Sequence, residues 1–565
     1  MEEKVIQFKR EGQTVAERRR ELFLERLFSL PPEKALDLIL SQQNAKELVQ
    51  NLPSVDLYWI IKKIGEDDSI PILELASEEQ WQYILDIEVW VRDRINIRKV
   101  SEWLRRFMKA DAERLARWLI TEEMEMFTYY YLYRMLDIII ATDDNIYDIP
   151  EDYFTLDGTF YLKLRDPDQR DLIETILKLI ASESFLRYQA LLMTSRAILP
   201  ASTEEELYRL RSVRIAEYGF LPFEEAVGIY APLDPEDLVL EKKDRRKEIV
   251  YVDDEVKDII PSFPMYSLQP VGIFQLALRN IKDNVLLDRI KLEFAGLCNQ
   301  LLSADGLSIG GYEDLIKVCK KAAGYLNIGF EKVCGNDVNM AIELIKKNSL
   351  HSIFRVGFGI ALRLRWEVER WIKESWFRSQ EIDFSFWGSD GEILIGLLNK
   401  KPLYYVGIED GEEYRPFQSL KEIEECRSIF YKIKVLDRLF SDLTSFYPIE
   451  KGLLKDPTIT YVPFLFTFWA RKILELDPGF LPIDMDQVRR FFEKLREKES
   501  QPPYRMEGFR ERFIEDISCY FSGEKEEKRI LRDILSSLWD EFREEYENVA
   551  IKDLDERYIR FILIR

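Results

Sequence analysis

Histidine is almost absent from this sequence: His351 is the only one in 565 residues. This excludes a histidine-rich zinc site, the HExxH motif and the paired Glu-x-x-His motifs of di-iron bundles. A serine or cysteine nucleophile with a histidine base would depend on His351 alone. This residue stands between two predicted helices, just before Ser352, which favours a capping or packing role. The sequence therefore predicts no catalytic residue, no cofactor-binding residue and no metal ligand.

Phosphate-binding loops are missing as well. The chain contains no Gly-Lys dipeptide, which excludes a Walker A loop. Gly357 and Gly359 begin a dinucleotide-binding pattern, but Leu362 occupies its sixth position and no strand is predicted before it. Close packing between helices is the better interpretation of these glycines.

The cysteines and the apolar runs indicate the cellular compartment in which we expect the protein. The five cysteines form no Cys-x-x-Cys pair, and their odd number and spacing favour reduced, buried thiols. The nearest approach to a membrane span, residues 461–474, contains Pro463, Arg471 and Lys472 and predicts a buried helix. The charged first 30 residues do not resemble a signal peptide. We therefore expect a cytoplasmic protein without membrane insertion.

Acidic residues, in contrast, are abundant. The chain has 103 acidic and 81 basic residues, a net charge of −22, which disfavours nucleic acid as a partner. With so many carboxylates, neighbouring acidic pairs do not by themselves identify a general acid and a general base. The acidic segment 143–152 fails as a calcium loop, because Tyr147 and Asp148 stand where an Asp or Asn and a glycine are required.

The N-terminal region contains three similar stretches, in which a leucine is followed by a turn residue and then by apolar residues at helical spacing. They cover residues 30–40, 52–61 and 75–85. In the third stretch, Ser77 and Gln80 have the spacing of a capping box. Short helices of this kind bury their apolar faces by stacking on their neighbours, so we predict a solenoid-like array over residues 1–140.

Two Asp-Gly turns between apolar runs predict β-hairpins near residues 153–164 and 403–417. Helical periodicity dominates elsewhere, so the predicted fold is mainly α, with solenoid-like stacked short helices in two lobes and one or two small β-hairpins. A charged, proline-bearing segment is typical of a linker between the lobes. The expected regions are a helical repeat array (1–140), a helical extension with the first hairpin (141–235), the linker (236–270), a second helical lobe with the second hairpin (271–450) and a C-terminal helical region (451–565).

Two arginine clusters have the charge to bind an anion or an acidic partner segment. They are Arg18–Arg20 and the set Arg209, Arg211 and Arg214. Glutamates flank the first cluster directly, and Glu217 lies three residues after Arg214, within reach on a helix. Pairing within the chain is therefore the favoured interpretation.

Several segments carry a resemblance to known families. They are residues 75–81 with 84–86 and Trp90, residues 214–220 with Glu225, Ala226 and Tyr230, and residues 354–358. Together they resemble a bacterial family known as domain of unknown function 6178. The N-terminal repeats also resemble the cytoplasmic N domain of MgtE-type magnesium transporters, an acidic superhelix of short helices. Neither the membrane domain nor the cystathionine-synthase-type pair of those transporters is found, so the resemblance implies an architecture and no activity.

Three functional hypotheses follow. The first is an interaction scaffold or adaptor without catalytic activity, because stacked helices present long surfaces to protein partners. The second is a regulator that responds to magnesium through its acidic helical array; magnesium is the one cofactor that the sequence leaves open. The third is an enzyme that uses carboxylate, arginine or tyrosine side chains. We expect a protein partner and no nucleic acid.

Overall fold

The computed structural model describes residues 23–24, 26–27, 29–142, 149–238, 263–266, 272–307, 311–409, 412–496 and 501–565. Helices make up most of these residues, with three small antiparallel sheets among them, so the predicted mainly α fold is confirmed. By contacts the chain divides into two compact units, Met1–Val356 and Gly357–Arg565. None of the helices in the described ranges is long and apolar enough to cross a membrane.

Helices of the first unit are short at the N-terminus and longer towards its end. They are α1 (Pro32–Leu40), α2 (Ala45–Gln50), α3 (Ser54–Ile64), α4 (Ile70–Leu75), α5 (Glu78–Glu88), α6 (Ile97–Leu119), α7 (Glu122–Met135), α8 (Arg170–Glu183), α9 (Phe185–Ala197), α10 (Pro200–Ala216), α11 (Phe223–Ala226), α12 (Phe263–Tyr266), α13 (Ile273–Asn280), α14 (Asn284–Asp305), α15 (Tyr312–Cys334) and α16 (Val338–Lys347). The next helix, α17 (Leu350–Glu374), contains the boundary between the two units.

The second unit has two long helices among shorter ones. Its elements are α18 (Trp376–Ser379), α19 (Ser389–Leu398), α20 (Leu420–Phe446), α21 (Lys451–Leu454), α22 (Tyr461–Ile473), α23 (Met485–Leu495), α24 (Phe509–Ser518) and α25 (Lys525–Tyr546). Helix α22 confirms the buried helix that residues 461–474 predict, and its aromatic side chains form much of the core of this unit. Trp469, for example, meets Phe513 and Trp539 edge-on, with ring centroids 5.3 and 5.6 Å apart.

The predicted capping box is present at the start of α5. Ser77 N donates to Gln80 Oε1 at 2.9 Å, and Gln80 N donates to Ser77 Oγ at 3.2 Å. The side-chain amide of Gln80 also donates to the carbonyls of Val49 and Leu52, at 2.8 Å each. Two carbonyl groups at the end of α2 therefore find their partner in the third sequence repeat. The solenoid arrangement itself stays a prediction.

Three sheets interrupt the helices of the described chain. The hairpin predicted at 153–164 is present: β4 (Phe154–Thr155) pairs with β5 (Phe160–Leu164), and the Asp157 carboxylate accepts two backbone N–H groups of the turn. β5 also pairs along its whole length with β3 (Leu136–Ile140). The sequence places residues 136–140 in the helical array, which is wrong. Its run of three isoleucines favours a strand, and pairing with β5 supplies the backbone partners.

The remaining strands form two-stranded sheets. β1 (Trp90–Val91) pairs with β2 (Arg94–Ile95), and β6 (Tyr404–Glu409) pairs with β7 (Glu412–Arg415) near the second predicted hairpin. The Asp-Gly turn at residues 410–411 lies outside the described residues. At the C-terminus, Ile564 forms a parallel bridge with Ile483, which docks the tail on the second unit.

Several sequence-based interpretations fall on residues that the structure does not describe. They are the arginine cluster 18–20, the acidic stretch 143–148 and most of the linker, 239–262 and 267–271. The two compact units meet along the chain at Val356–Gly357, further on than the predicted linker. The predicted domain boundaries stay predictions.

Candidate functional site

His351 occupies a packing position at the start of α17. Ser349 caps this helix, because its hydroxyl accepts the N–H of Ser352 at 3.2 Å, and the Glu293 carboxylate accepts the N–H of Leu350 at 2.8 Å. The imidazole itself is largely buried, and this burial lowers its pKa.

The cysteines are all free, as the sequence predicts. Cys298 and Cys319 lie on neighbouring helices with their sulfur atoms 3.7 Å apart, and both are buried, as are Cys334 and Cys426. Cys519 is exposed, so the prediction of burial is wrong for this residue.

The second arginine cluster is paired within the chain, as predicted, but not with the predicted partner. Arg214 binds Asp86 through two hydrogen bonds of 2.7 Å, instead of Glu217, and Arg211 Nε donates to the Asp86 carbonyl at 2.6 Å. Arg209 pairs with Glu206 on the surface. This cluster joins α10 to α5 and serves the fold of the first unit.

Metal ligands do not come together in the described part of the chain. Within those ranges, no group of three or more His, Cys, Asp or Glu side chains is arranged to hold a metal ion. Magnesium stays a prediction from the sequence.

The first unit contains a polar cleft with a volume of about 510 Å³. Its lining residues are Asp67, Arg98, Ser101, Glu102, Arg105, Arg106, Lys109, Asp166, Asp168 and Gln169. All ten are polar or charged, which sets this cleft apart from the mostly apolar pockets that bind drug-sized ligands. We call it the polar cleft.

One wall of the polar cleft is a single face of α6. Its six lining residues from 98 to 109 recur at intervals of three and one, which keeps them on the same side of a helix. The helix starts where the Asn96 side chain accepts the N–H of Lys99 at 3.3 Å, and its regular course breaks at Asp111, which has non-helical backbone angles. The cleft thus occupies the first, straight part of α6.

The opposite wall is the turn that leads into α8. Pro167–Gln169 form a 3-10 turn, capped by the Asp166 carboxylate, which accepts the N–H of Asp168 at 3.2 Å. Arg105 reaches across from α6 and donates from Nη2 to Gln169 Oε1 at 3.0 Å. This hydrogen bond fixes the spacing of the two walls.

A network of ion pairs holds Arg106, and one of its members, Asp67, also lines the cleft. Its Nε donates to Asp67 Oδ1 at 2.8 Å, and its Nη2 lies 3.0 Å from Glu66 Oε2. Lys62 bridges Glu66 to Glu88, at 3.1 Å from the latter. The guanidinium of Arg106 is therefore oriented by two carboxylates that are themselves paired.

Glu88, at the far end of this network, is buried in the first unit. It accepts the hydroxyl of Tyr58 at 2.6 Å and lies 3.3 Å from the ammonium of Lys99. Burial alone would raise the pKa of Glu88, but Lys62, Tyr58 and Lys99 outweigh it and hold the pKa below its ordinary value. The carboxylate is thus ionised and fully engaged in structure at neutral pH.

A second surface feature of the first unit is apolar. On α9, Tyr188, Leu191 and Leu192 are buried, yet the opposite side carries Leu186 and Met193, which are 79% and 53% exposed. Ala190, between these two residues, and Ala197, one turn after Met193, are also exposed, so the four residues form a stripe at helical spacing. Leu199, just after the helix, is exposed as well. We call this surface, made of residues 186, 190, 193, 197 and 199, the α9 face.

The sequence predicts a helical, apolar stretch at 171–197 but misses the α9 face. The structure divides the stretch at Ser184, whose hydroxyl caps α9 by accepting the N–H of Arg187 at 3.3 Å. The available signal is that α9 carries apolar residues on two opposite sides, with Arg187 and Arg196 at the edges, so periodicity cannot decide which side is buried.

A comparison with protein families assigns nearly the whole chain to one family. A family model described as a family of unknown function (DUF6178) matches residues 12–565. Neither a curated protein nor a solved structure matches the chain. The likeness of the N-terminal repeats to the MgtE N domain therefore stays a prediction, whereas the first resemblance is confirmed over nearly the full length. The chain belongs to the family of unknown function DUF6178.

Proposed function

We propose that this protein is an interaction scaffold or adaptor without catalytic activity, and that it binds a partner protein through the α9 face. The observation that carries the proposal is the exposure of Leu186 and Met193 on a helix whose other side is already packed into the first unit. An exposed apolar stripe on the outer side of a packed helix is typical of a surface that another protein covers. A partner that covers the α9 face completes the burial of this helix.

The expected affinity follows from the side chains concerned. Burial of a leucine or methionine side chain stabilises a complex by about 2 kcal/mol. Leu186, Met193 and Leu199 together supply a gross gain of about 6 kcal/mol, much of which the entropy of association offsets. Polar contacts at the rim contribute the remaining binding free energy, so a single helical segment is expected to bind with a Kd in the micromolar range.

Charge at the rim of the α9 face selects an acidic partner segment. Residues 184–203 contain neither aspartate nor glutamate, although the chain as a whole has 103 acidic residues. Arg187 and Arg196 flank the apolar stripe. Arg187 pairs with Glu125 at 3.3 Å, whereas Arg196 has no carboxylate partner among the described residues. An amphipathic helix with acidic residues beside its apolar stripe complements this surface.

The same charges argue against a second copy of this chain as the occupant. A two-fold symmetric contact would place the α9 face against itself and bring Arg187 and Arg196 of both copies together. Like charges at a rim oppose association, and each chain also carries a net charge of −22.

Two labelled peptides test the proposal with the full-length protein. Both are amphipathic helices with the same leucine stripe, and one has glutamates and the other lysines at the flanking positions. Fluorescence anisotropy should show that the glutamate peptide binds at least ten-fold more tightly than the lysine peptide. Equal binding of the two peptides, or binding of neither, would overturn the proposal.

Matched variants locate the binding surface. Leu186→Ser together with Met193→Ser should weaken binding of the glutamate peptide at least ten-fold, and the exposure of both side chains leaves the fold intact. Phe446→Ser removes a comparably exposed apolar side chain from the second unit and should leave binding unchanged. Self-association that the double variant abolishes would assign the α9 face to a second copy instead. The magnesium-responsive and enzymatic alternatives stay predictions from the sequence.

A further inference from the structure

The polar cleft lies on other elements than the α9 face, and its cations are largely unused by the fold. Arg98 and Lys109 have no carboxylate partner within the described ranges, and Arg105 donates only to the neutral amide of Gln169. Of the four cations that line the cleft from α6, only Arg106 pairs with a carboxylate among the described residues. Three cations without a carboxylate partner therefore face one recess, with Glu102 as the single acidic side chain on their wall.

Arg106 lines the cleft as well, but its charge is already paired. Asp67 and Glu66 occupy its Nε and Nη2, but its Nη1 is buried and donates to no group in the described part of the chain. A buried donor without an acceptor is costly, by about 1–3 kcal/mol, unless water or a ligand accepts its hydrogen bond. This nitrogen is itself covered by the protein, and the charge of Arg106 is already paired with Asp67 and Glu66, so Arg106 supports the site without being its main anion-binding group.

The opposite wall supplies acceptors. Asp168 is exposed at the cleft, and Asp166 has one carboxylate oxygen left beside the one that caps the 3-10 turn. Among the described residues, neither pairs with a basic side chain. The cleft thus has a mainly cationic wall on α6, which also carries Glu102, and an anionic wall on the turn before α8.

From these observations we infer that the polar cleft binds a small organic anion, in which a phosphate or carboxylate group and hydroxyl or amino donors occur in one molecule. The anionic group binds the cations of α6, and the donors bind Asp166 and Asp168. A volume of about 510 Å³ is within the ordinary range for small-molecule sites, and the absence of apolar lining selects a strongly polar ligand.

Helix geometry places the anionic group near Arg105. With a rise of about 1.5 Å per residue, Arg105 and Lys109 are separated by about 6 Å along α6, so one phosphate is within reach of both. Arg98 lies about 10 Å away from Arg105 in the other direction and is left for a second acceptor of the ligand. Arg105 also contacts Gln169, which makes it the central residue of the site.

Three probes test this inference on the full-length protein at constant ionic strength: glycerol 3-phosphate, inorganic phosphate and sodium chloride. Isothermal titration calorimetry should show binding of glycerol 3-phosphate at least ten-fold tighter than that of inorganic phosphate, with no heat from chloride. Equal binding of the two phosphates would show a bare anion site and overturn the assignment of the acidic wall. Absence of binding by both would overturn the site.

Variants of the two walls separate their roles. Lys109 has no carboxylate partner among the described residues, so Lys109→Gln breaks no ion pair and should weaken the binding of both phosphate compounds at least five-fold. Arg105→Gln should do the same more strongly. Asp168→Asn should weaken the binding of glycerol 3-phosphate and leave the binding of inorganic phosphate unchanged. Arg209→Gln, on the exposed surface of α10, is the control and should change nothing. Binding that persists unchanged in both Lys109→Gln and Arg105→Gln would place the ligand elsewhere and contradict the inference. The peptide assay of the α9 face is independent of every one of these outcomes.

Discussion

Arg214 binds both carboxylate oxygens of Asp86, with Nε–Oδ2 and Nη2–Oδ1 distances of 2.7 Å, across 128 residues of sequence. Asp86 belongs to α5 and is buried, and Arg214 belongs to α10. A bidentate pair of this kind is both strong and specific in geometry. It fastens the N-terminal helices to the part of the first unit that presents the α9 face.

Asp86→Asn should destabilise the protein by about 1–2 kcal/mol, because the buried carboxylate would lose its charge-assisted hydrogen bonds to the partly exposed Arg214. Urea denaturation followed by circular dichroism measures the loss. Glu206→Gln is the matched control, since it breaks the exposed pair with Arg209 and should cost no more than about 0.5 kcal/mol. Similar losses in the two variants would show that the Asp86–Arg214 pair contributes no more to stability than an exposed ion pair.

Gln80→Leu should cost about 2 kcal/mol, because the carbonyls of Val49 and Leu52 would lose their shared donor in a buried site. Gln42→Leu is the control: its side chain also donates to a backbone carbonyl, that of Leu38, but at the exposed surface. The same denaturation experiment compares the two. Equal effects would contradict the view that Gln80 ties the second repeat to the third.

Gly329→Ala should destabilise the first unit by about 1–3 kcal/mol. A methyl group there would overlap the carbonyl oxygen of Ile353 on α17 and lie 3.0 Å from its Cγ2 atom. Gly296→Ala, in α14, meets no atom within 4 Å and should stabilise its helix by up to about 1 kcal/mol. Thermal unfolding of the two variants should therefore shift in opposite directions, and a shared direction would count against the close approach of α15 and α17.

Asp437 should make the second unit less stable as pH rises. Its carboxylate accepts the N–H groups of Trp376 and Phe377, at 3.2 and 2.8 Å, yet burial raises its pKa to about 6. Because the folded state then binds a proton that the unfolded state has already released, stability is lost between about pH 4 and pH 6. The loss amounts to about 3 kcal/mol.

Asp437→Asn isolates this contribution, because the amide does not titrate. The free energy of unfolding of the wild type minus that of the variant should fall by about 3 kcal/mol between about pH 3 and pH 7. A difference that stays constant or rises over this range would show that burial does not control the ionisation of Asp437.

Local chemistry explains which parts of the fold the sequence predicts. Ser77 and Gln80 form their capping box within four residues, and Asp157 with Gly158 needs only its own turn. Strand β3 and the Asp86–Arg214 pair depend on partners far along the chain, so spacing within one segment cannot identify them. Sequence gives helical spacing for residues 98–109, but the turn that makes their face a cleft is more than 50 residues away. The α9 face was missed for a related reason, because both sides of α9 are apolar.

The central claim is that the α9 face binds a different protein with an acidic, apolar helix. A photoreactive amino acid at position 193 tests it most directly in cells that produce the full-length chain, with position 182, an exposed site on α8, as the control. Mass spectrometry of the products should find cross-links from position 193 alone, to an apolar segment of another protein bordered by aspartate or glutamate. Cross-links only between copies of this chain, or the same products from both positions, would contradict the claim.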